Sequence, residues 1–196
     1  MPRTIPRDEA WTLLQEWVAS PSLRRHCLTV EAAMRAYAEQ TPEADVELWG
    51  VTGLLHDADY ERHPDLETGH PRLIMAELER RDAPPEMVRA IASHADYLGV
   101  PRESPLERTL FAVDELCGFV VACAMVRPQG IHGLTPKSVR KKLKTASFAA
   151  AVDREAVTAG AALIGREFAD HVAFVIAAIE PLAAELELEG EAGAAA

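Results

Sequence analysis

His56 and Asp57 stand side by side at the end of an apolar run, Leu54-Leu55-His56-Asp57, and are the clearest chemical signal in the chain. Imidazole nitrogen and carboxylate oxygen together suit borderline first-row divalent ions such as manganese, iron, cobalt or zinc. His26 lies upstream, after Arg24 and Arg25, and Asp114 lies downstream within Leu110-Phe111-Ala112-Val113-Asp114-Glu115-Leu116. An aspartate in such a run is costly to bury unless a cation or a donor meets it. Each residue singly has a plainer use: His26 as a cap or packing group, Asp114 as the partner of an arginine such as Arg108. The order His, His-Asp, Asp over separate apolar segments is hard to obtain from packing alone and reads as a set of metal ligands.

The elements that must position these groups are helices. Ser20-Pro21, Thr41-Pro42, Ser104-Pro105 and Thr135-Pro136 each place a hydroxyl N-cap before a proline at the first helical position. Glu107 completes a capping box with Ser104. Apolar spacing predicts helices near 8–19, 21–40, 42–57, 71–82, 84–95, 104–125 and 136–144, then a segment over 153–188 bent at Gly160 and Pro181. No alternating strand pattern competes. Neighbouring helical residues project about 100° apart, so His56 and Asp57 can share an ion only beyond a helix end. The polar loop Asp59 to Gly69 puts them at such an end. The expected fold is all-α and single-domain: an N-terminal helix over 1–20, a core over 20–128, and a helical extension over 129–188 packed on the same domain. A tail, 189–196, has nothing to bury and is expected to be disordered.

A chain of 196 residues with 48% apolar content can bury one real core. Its formal net charge of −11 argues against general binding to DNA or anionic membranes. No stretch is long and apolar enough to span a bilayer, and MPRTIPRDEAW lacks a signal-peptide pattern. Cys27, Cys117 and Cys123 are an odd count in apolar surroundings, so reduced thiols and a cytoplasmic location are expected. Of twenty basic residues only four are lysines, and all four lie between Lys137 and Lys144. On a helix from Pro136, Lys137, Arg140, Lys141 and Lys144 share a face opposite Val139 and Leu143. That stripe would suit phosphate docking, or it is simply a solvated helix face.

Over roughly residues 20–128 the sequence resembles the HD superfamily of metal-dependent phosphohydrolases, whose mark is a histidine, a later His-Asp pair and a distant aspartate. LLHDADYERHPD, SHADYLGVPRE and FAVDELCGF are similar to small bacterial HD proteins. The resemblance implies an HD-type helical bundle over 20–128 and makes His26, His56, Asp57 and Asp114 the ligands of a first ion. In relatives with two ions, two more histidines intervene. His70 and His94 then serve the second ion and Asp57 bridges the pair, with His63 as the alternative to His70. The cofactor expected is one or two divalent ions: manganese, iron, cobalt or zinc, with magnesium possible. A helix-start role for His70 and a helix-end role for His94 are the plainer alternatives. Ala95 follows His94 and no GYP segment is present, so cyclic-di-GMP cleavage is not supported.

The resemblance implies hydrolysis of a small phosphorylated substrate: a nucleoside monophosphate, a cyclic nucleotide or a dinucleoside polyphosphate. Asp57 and His94 would act at the reaction centre, with Asp59 orienting a histidine or relaying a proton. Arg25, Arg127, Lys137, Arg140, Lys141 and Lys144 would hold the non-reacting phosphate. HD-fold di-iron oxygenases use the same ligand order and form the first alternative; a non-catalytic regulatory HD domain is the second. Oligomeric state is not legible.

Overall fold

Three of the four hydroxyl–proline signals start helices, each with the side chain on an orphan amide. Ser20 accepts from Leu23 N and Thr135 from Ser138 N. Ser104 and Glu107 make the reciprocal pair, Glu107 N donating to Ser104 Oγ at 3.2 Å and Ser104 N to Glu107 Oε2 at 3.1 Å. Thr41-Pro42 does not start a helix. Thr41 Oγ1 instead donates back to Tyr37 O at 2.9 Å, Glu43 takes a positive φ of 62°, and Asp45 caps the next helix through Glu47 N and Leu48 N. The carboxylate reaches two amides at once and wins the cap.

The structure, a computed structural model, describes residues 3–191. Its α-helices are α1 (Arg7–Trp17), α2 (Pro21–Glu39), α3 (Val46–Leu55), α4 (Arg72–Arg80), α5 (Pro85–His94), α6 (Pro105–Met125), α7 (Pro136–Leu143), α8 (Arg154–Leu163) and α9 (Phe168–Ile179). Short 3-10 turns cover Asp96–Leu98 and Glu180–Leu182, and no strand occurs among the described residues. None of these helices is long and apolar enough to cross a membrane. The chain divides into two compact units, Met1–Phe111 and Ala112–Ala196, with the boundary inside α6. The sequence suggests a single domain with an extension only from 129.

In the first unit α3 is the central helix. Leu48 to Leu55 are all buried, as suits a helix apolar on every side, and α1, α2 and α5 pack against it. Its seam with α2 is close and antiparallel. A Cβ on Gly53 would stand 2.9 Å from Met34 Cγ and 3.1 Å from Glu31 N; one on Gly50 would overlap the Arg35 side chain. Glu31 ties α1 to α2, its buried carboxylate accepting from Arg7 Nε and Nη2, both at 3.1 Å, and from Arg35 Nε at 3.0 Å, while Arg35 Nη1 crosses the seam to Glu47 at 2.8 Å. Gly53→Ala is expected to lower stability by about 1–3 kcal/mol, the usual cost of overpacking a tight contact. Chemical denaturation of the metal-free protein measures this directly. An unchanged midpoint would mean that the seam yields freely.

The second unit packs α7 and α8 on α9. Gly160, expected to bend the final segment, instead lies inside α8, where a Cβ would come within 2.7 Å of Ala112 Cα. The absent side chain permits that approach, and the chain turns at Gly165, whose φ is +67°. Pro181 does follow the end of α9. Residues 189–191, assigned by composition to the disordered tail, are held: Ile131 N donates to Leu188 O at 2.8 Å and Glu191 N to Pro128 O at 2.9 Å. Backbone amides rather than apolar side chains hold them, which composition does not register. The remainder of that tail, 192–196, lies outside the described residues. The three cysteines are buried.

Candidate metal centre

His26 comes from α2, and His56 follows the last residue of α3 with Asp57 in the turn after it. The α2–α3 seam brings the two histidines together edge-on, His26 Nε2 lying 3.3 Å from His56 Nε2. His94 is the last residue of α5, and His70 stands just before α4.

The loop from Asp59 to His70 is built to turn His70 inward. Glu61 accepts from Ala19 N at 2.9 Å and Ser20 N at 2.8 Å, which fastens the loop to the start of α2. Asp65 gathers the amides of Glu67 and Thr68, and His70 N donates to His63 O at 2.8 Å. Gly69 has no substitute there, because a Cβ would sit 2.3 Å from His63 O. His63 is left exposed and His70 buried, so the choice between them falls on His70.

Four Nε2 atoms converge on one carboxylate. Asp57 Oδ1 lies 3.5 Å from the Nε2 of His56, of His70 and of His94, and Oδ2 lies 3.6 Å from that of His26. Two ligand groups result among the described residues, His26–His56–Asp57 and Asp57–His70–His94, each with its atoms within 4.8 Å of one another. Asp57 belongs to both.

The opposite ring nitrogens show what these atoms offer. His56 Nδ1 donates to Gly53 O at 2.8 Å and His94 Nδ1 to Ile91 O at 2.5 Å. A carbonyl can only accept, so a proton sits on Nδ1, and in its neutral form each ring then presents an Nε2 lone pair. Asp59 does the same for His70, accepting from its Nδ1 at 2.8 Å. The other oxygen of Asp59 accepts from Leu73 N at 3.1 Å and Ile74 N at 2.9 Å, so this fully buried carboxylate also caps α4. Three lone pairs thus face a carboxylate oxygen, at separations beyond ordinary hydrogen bonds. Acceptor against acceptor needs a cation between, and imidazole with carboxylate fits a divalent transition ion.

Asp114 lies on α6 in the second unit, partly buried, and Arg25 lies partly buried on α2. Arg127 donates to Gly130 O at 2.8 Å and His132 O at 3.1 Å, holding its own turn. Lys137, Arg140 and Lys141 are exposed on α7 and Lys144 is exposed at its end. Asp96 is exposed and paired with Arg102. His171 is buried, donates to Ala112 O at 2.9 Å, and is pushed below the usual imidazole range by burial, as a packing histidine should be. His132 pairs with Glu180 at the surface.

Sequence reasoning passes over Tyr60 and Tyr97. Tyr60 stands edge-on to the His70 ring, centroids 5.2 Å apart, and the Tyr97 hydroxyl donates to His70 O at 2.8 Å. Both remain open, at 47% and 45% exposure. Burial of its hydroxyl pushes Tyr97 up to about 12, so it stays a neutral donor.

Compared with known families, residues 23–117 match the one described as HD domain. No curated protein and no solved structure matches the chain.

Proposed function

Because this is an HD-domain protein, we propose that it is a metal-dependent phosphohydrolase acting on a small phosphoester, with a nucleotide as the substrate class. The observation that carries the proposal is the convergence of four Nε2 atoms on Asp57. Bound divalent ions supply polarisation of a phosphoryl oxygen and a lowered water pKa.

The chain's own residues do the rest. His26 and His56 with Asp57 would hold one ion, His70 and His94 with Asp57 would hold a second, and the family order would add Asp114 as a further ligand. Gly53 O, Ile91 O and Asp59 keep three of the rings in the tautomer that binds a cation. Asp59 acts as a positioning residue, since both its oxygens are taken by donors. Tyr60 and Tyr97 offer open aromatic faces beside His70, and such faces stack bases whatever their identity. Arg25 is proposed to steady the non-reacting phosphate.

Metal analysis of the full chain purified without chelator, followed by a phosphoester panel with manganese, cobalt, magnesium and iron, tests this reading. Two ions per chain and phosphate release from a nucleotide are expected. In Tyr60→Ala, KM for that nucleotide should rise about tenfold, because base stacking contributes about 1–3 kcal/mol. Glycerol 3-phosphate, which has no base, should be indifferent to the change. No turnover across the panel, with oxygen uptake in the iron-loaded protein, would replace the hydrolase by an oxygenase.

A further inference from the structure

The second unit contains a cavity of about 380 Å³ between the turn after α6 and the flank of α7. Cys123 and Leu134 line it with Arg127, Lys141 and Lys142, and the hydroxyls of Ser138 and Thr145 complete it. We propose that this cavity is a binding site for a small phosphorylated molecule, separate from the residues gathered round Asp57.

The composition of the walls sets the ligand chemistry. In a chain of net charge −11, three cations meet here and, among the described residues, no carboxylate lines the cavity. Cations with hydroxyls on one wall match phosphate oxygens, which need charge and several donors. Arg127 is held in place by its bonds to Gly130 O and His132 O, so it supplies fixed charge, while Lys141 supplies a movable donor. Lys142 is steadied over the Phe148 ring, its Nζ 4.5 Å from the centroid. Cys123 and Leu134 are buried and face the cavity, giving the organic part of a ligand an apolar contact. Burial pushes the Cys123 thiol up to about 11, so near neutral pH it adds no negative charge against a phosphate. The volume is at the small end for ligand pockets, which suits a sugar phosphate or a mononucleotide.

The cavity also divides the lysine cluster. Of the stripe read from helical spacing only Lys141 lines it, joined by Lys142 from outside that stripe; Lys137, Arg140 and Lys144 do not. Arg140 instead lies over the Phe168 ring, 5.1 Å from its centroid.

Calorimetric titration of the full, metal-loaded chain with ribose 5-phosphate provides the test. Lys141→Gln/Lys142→Gln should weaken binding at least about tenfold, the loss of a charge-assisted contact. Lys137→Gln/Lys144→Gln, which removes the same charge from the same helix, should bind as wild type does. Asp57→Asn, with helicity verified by circular dichroism, should also keep the affinity, because this binding does not need the metal centre. Equal weakening in both lysine pairs would reduce the site to diffuse charge, and loss in Asp57→Asn would assign the binding to the metal centre. Either result overturns the proposal, as does wild-type affinity in Lys141→Gln/Lys142→Gln or no binding at all. None of these outcomes depends on turnover, so the site and the hydrolase reading stand or fall separately.

Discussion

Replacing Asp57 with alanine is expected to remove both metal ions and all but a trace of turnover while leaving the helices in place. The carboxylate belongs to both ligand groups, with Oδ1 facing three histidines and Oδ2 the fourth. Without it, His70 and His94 keep no anion to offset a divalent charge, the His26–His56 group keeps only the Asp114 that the family order adds, and neither ion is held well. Turnover should fall by at least about a thousandfold, since several kcal/mol of transition-state stabilisation come from bound ions and about 1.4 kcal/mol is tenfold in rate. The fold has little to lose. The Asp57 carbonyl accepts from Tyr60 N at 3.0 Å, a bond that alanine retains. Metal analysis, a rate measurement and far-UV circular dichroism on the metal-free proteins check the three parts. Retention of two ions, or a rate near wild type, would end the shared-carboxylate account; loss of one ion alone would make the two groups independent.

Asp59 separates stability from metal binding more sharply. Asp59→Ala uncaps Leu73 N and Ile74 N and leaves buried donors unmet, so a loss of about 2–4 kcal/mol is expected. It also frees His70 to turn, and losing such a partner typically costs about 10–100-fold in metal affinity. Asp59→Asn should behave differently. Its amide oxygen can still accept from the two backbone amides, which preserves most of the stability. Its NH2 then faces His70 Nδ1 and donates, which shifts the ring proton to Nε2 and removes the lone pair aimed at Asp57. The variant should melt close to wild type in the metal-free state yet lose the ion held by His70 and His94. Differential scanning calorimetry beside metal stoichiometry reads both. Two ions bound at wild-type affinity in Asp59→Asn would show that tautomer control at His70 is unimportant.

Much of this centre is legible from sequence because its parts are local. His56-Asp57 ends an apolar helix, His94 ends another, and His26 lies early on a third; each helix follows from caps and periodicity that adjacent residues determine. His70 and His63 are another matter. Each precedes a proline in the same loop, and helical spacing says nothing about loops. Asp65, Gly69 and the His63 carbonyl close the turn so that one ring goes in and the other out. Thr41-Pro42 misled for a related reason: a hydroxyl before proline is a good cap, but Asp45 a few residues on is a better one.

The sequence by itself determined the all-helical class, most helix positions, and the ligand types that point to a divalent ion and an HD domain. These follow from backbone propensity, capping and side-chain chemistry, which act over a few residues. Only the tertiary structure decided that Asp59 serves His70 and α4 at once, and that Tyr60 and Tyr97 flank His70. It also decided that Lys142 rather than Lys137 or Lys144 shares a cavity with Arg127. Those relations join atoms from segments far apart in the chain. They depend on how closely α3 sits on α2 and where a loop closes, and local preference does not encode such distances.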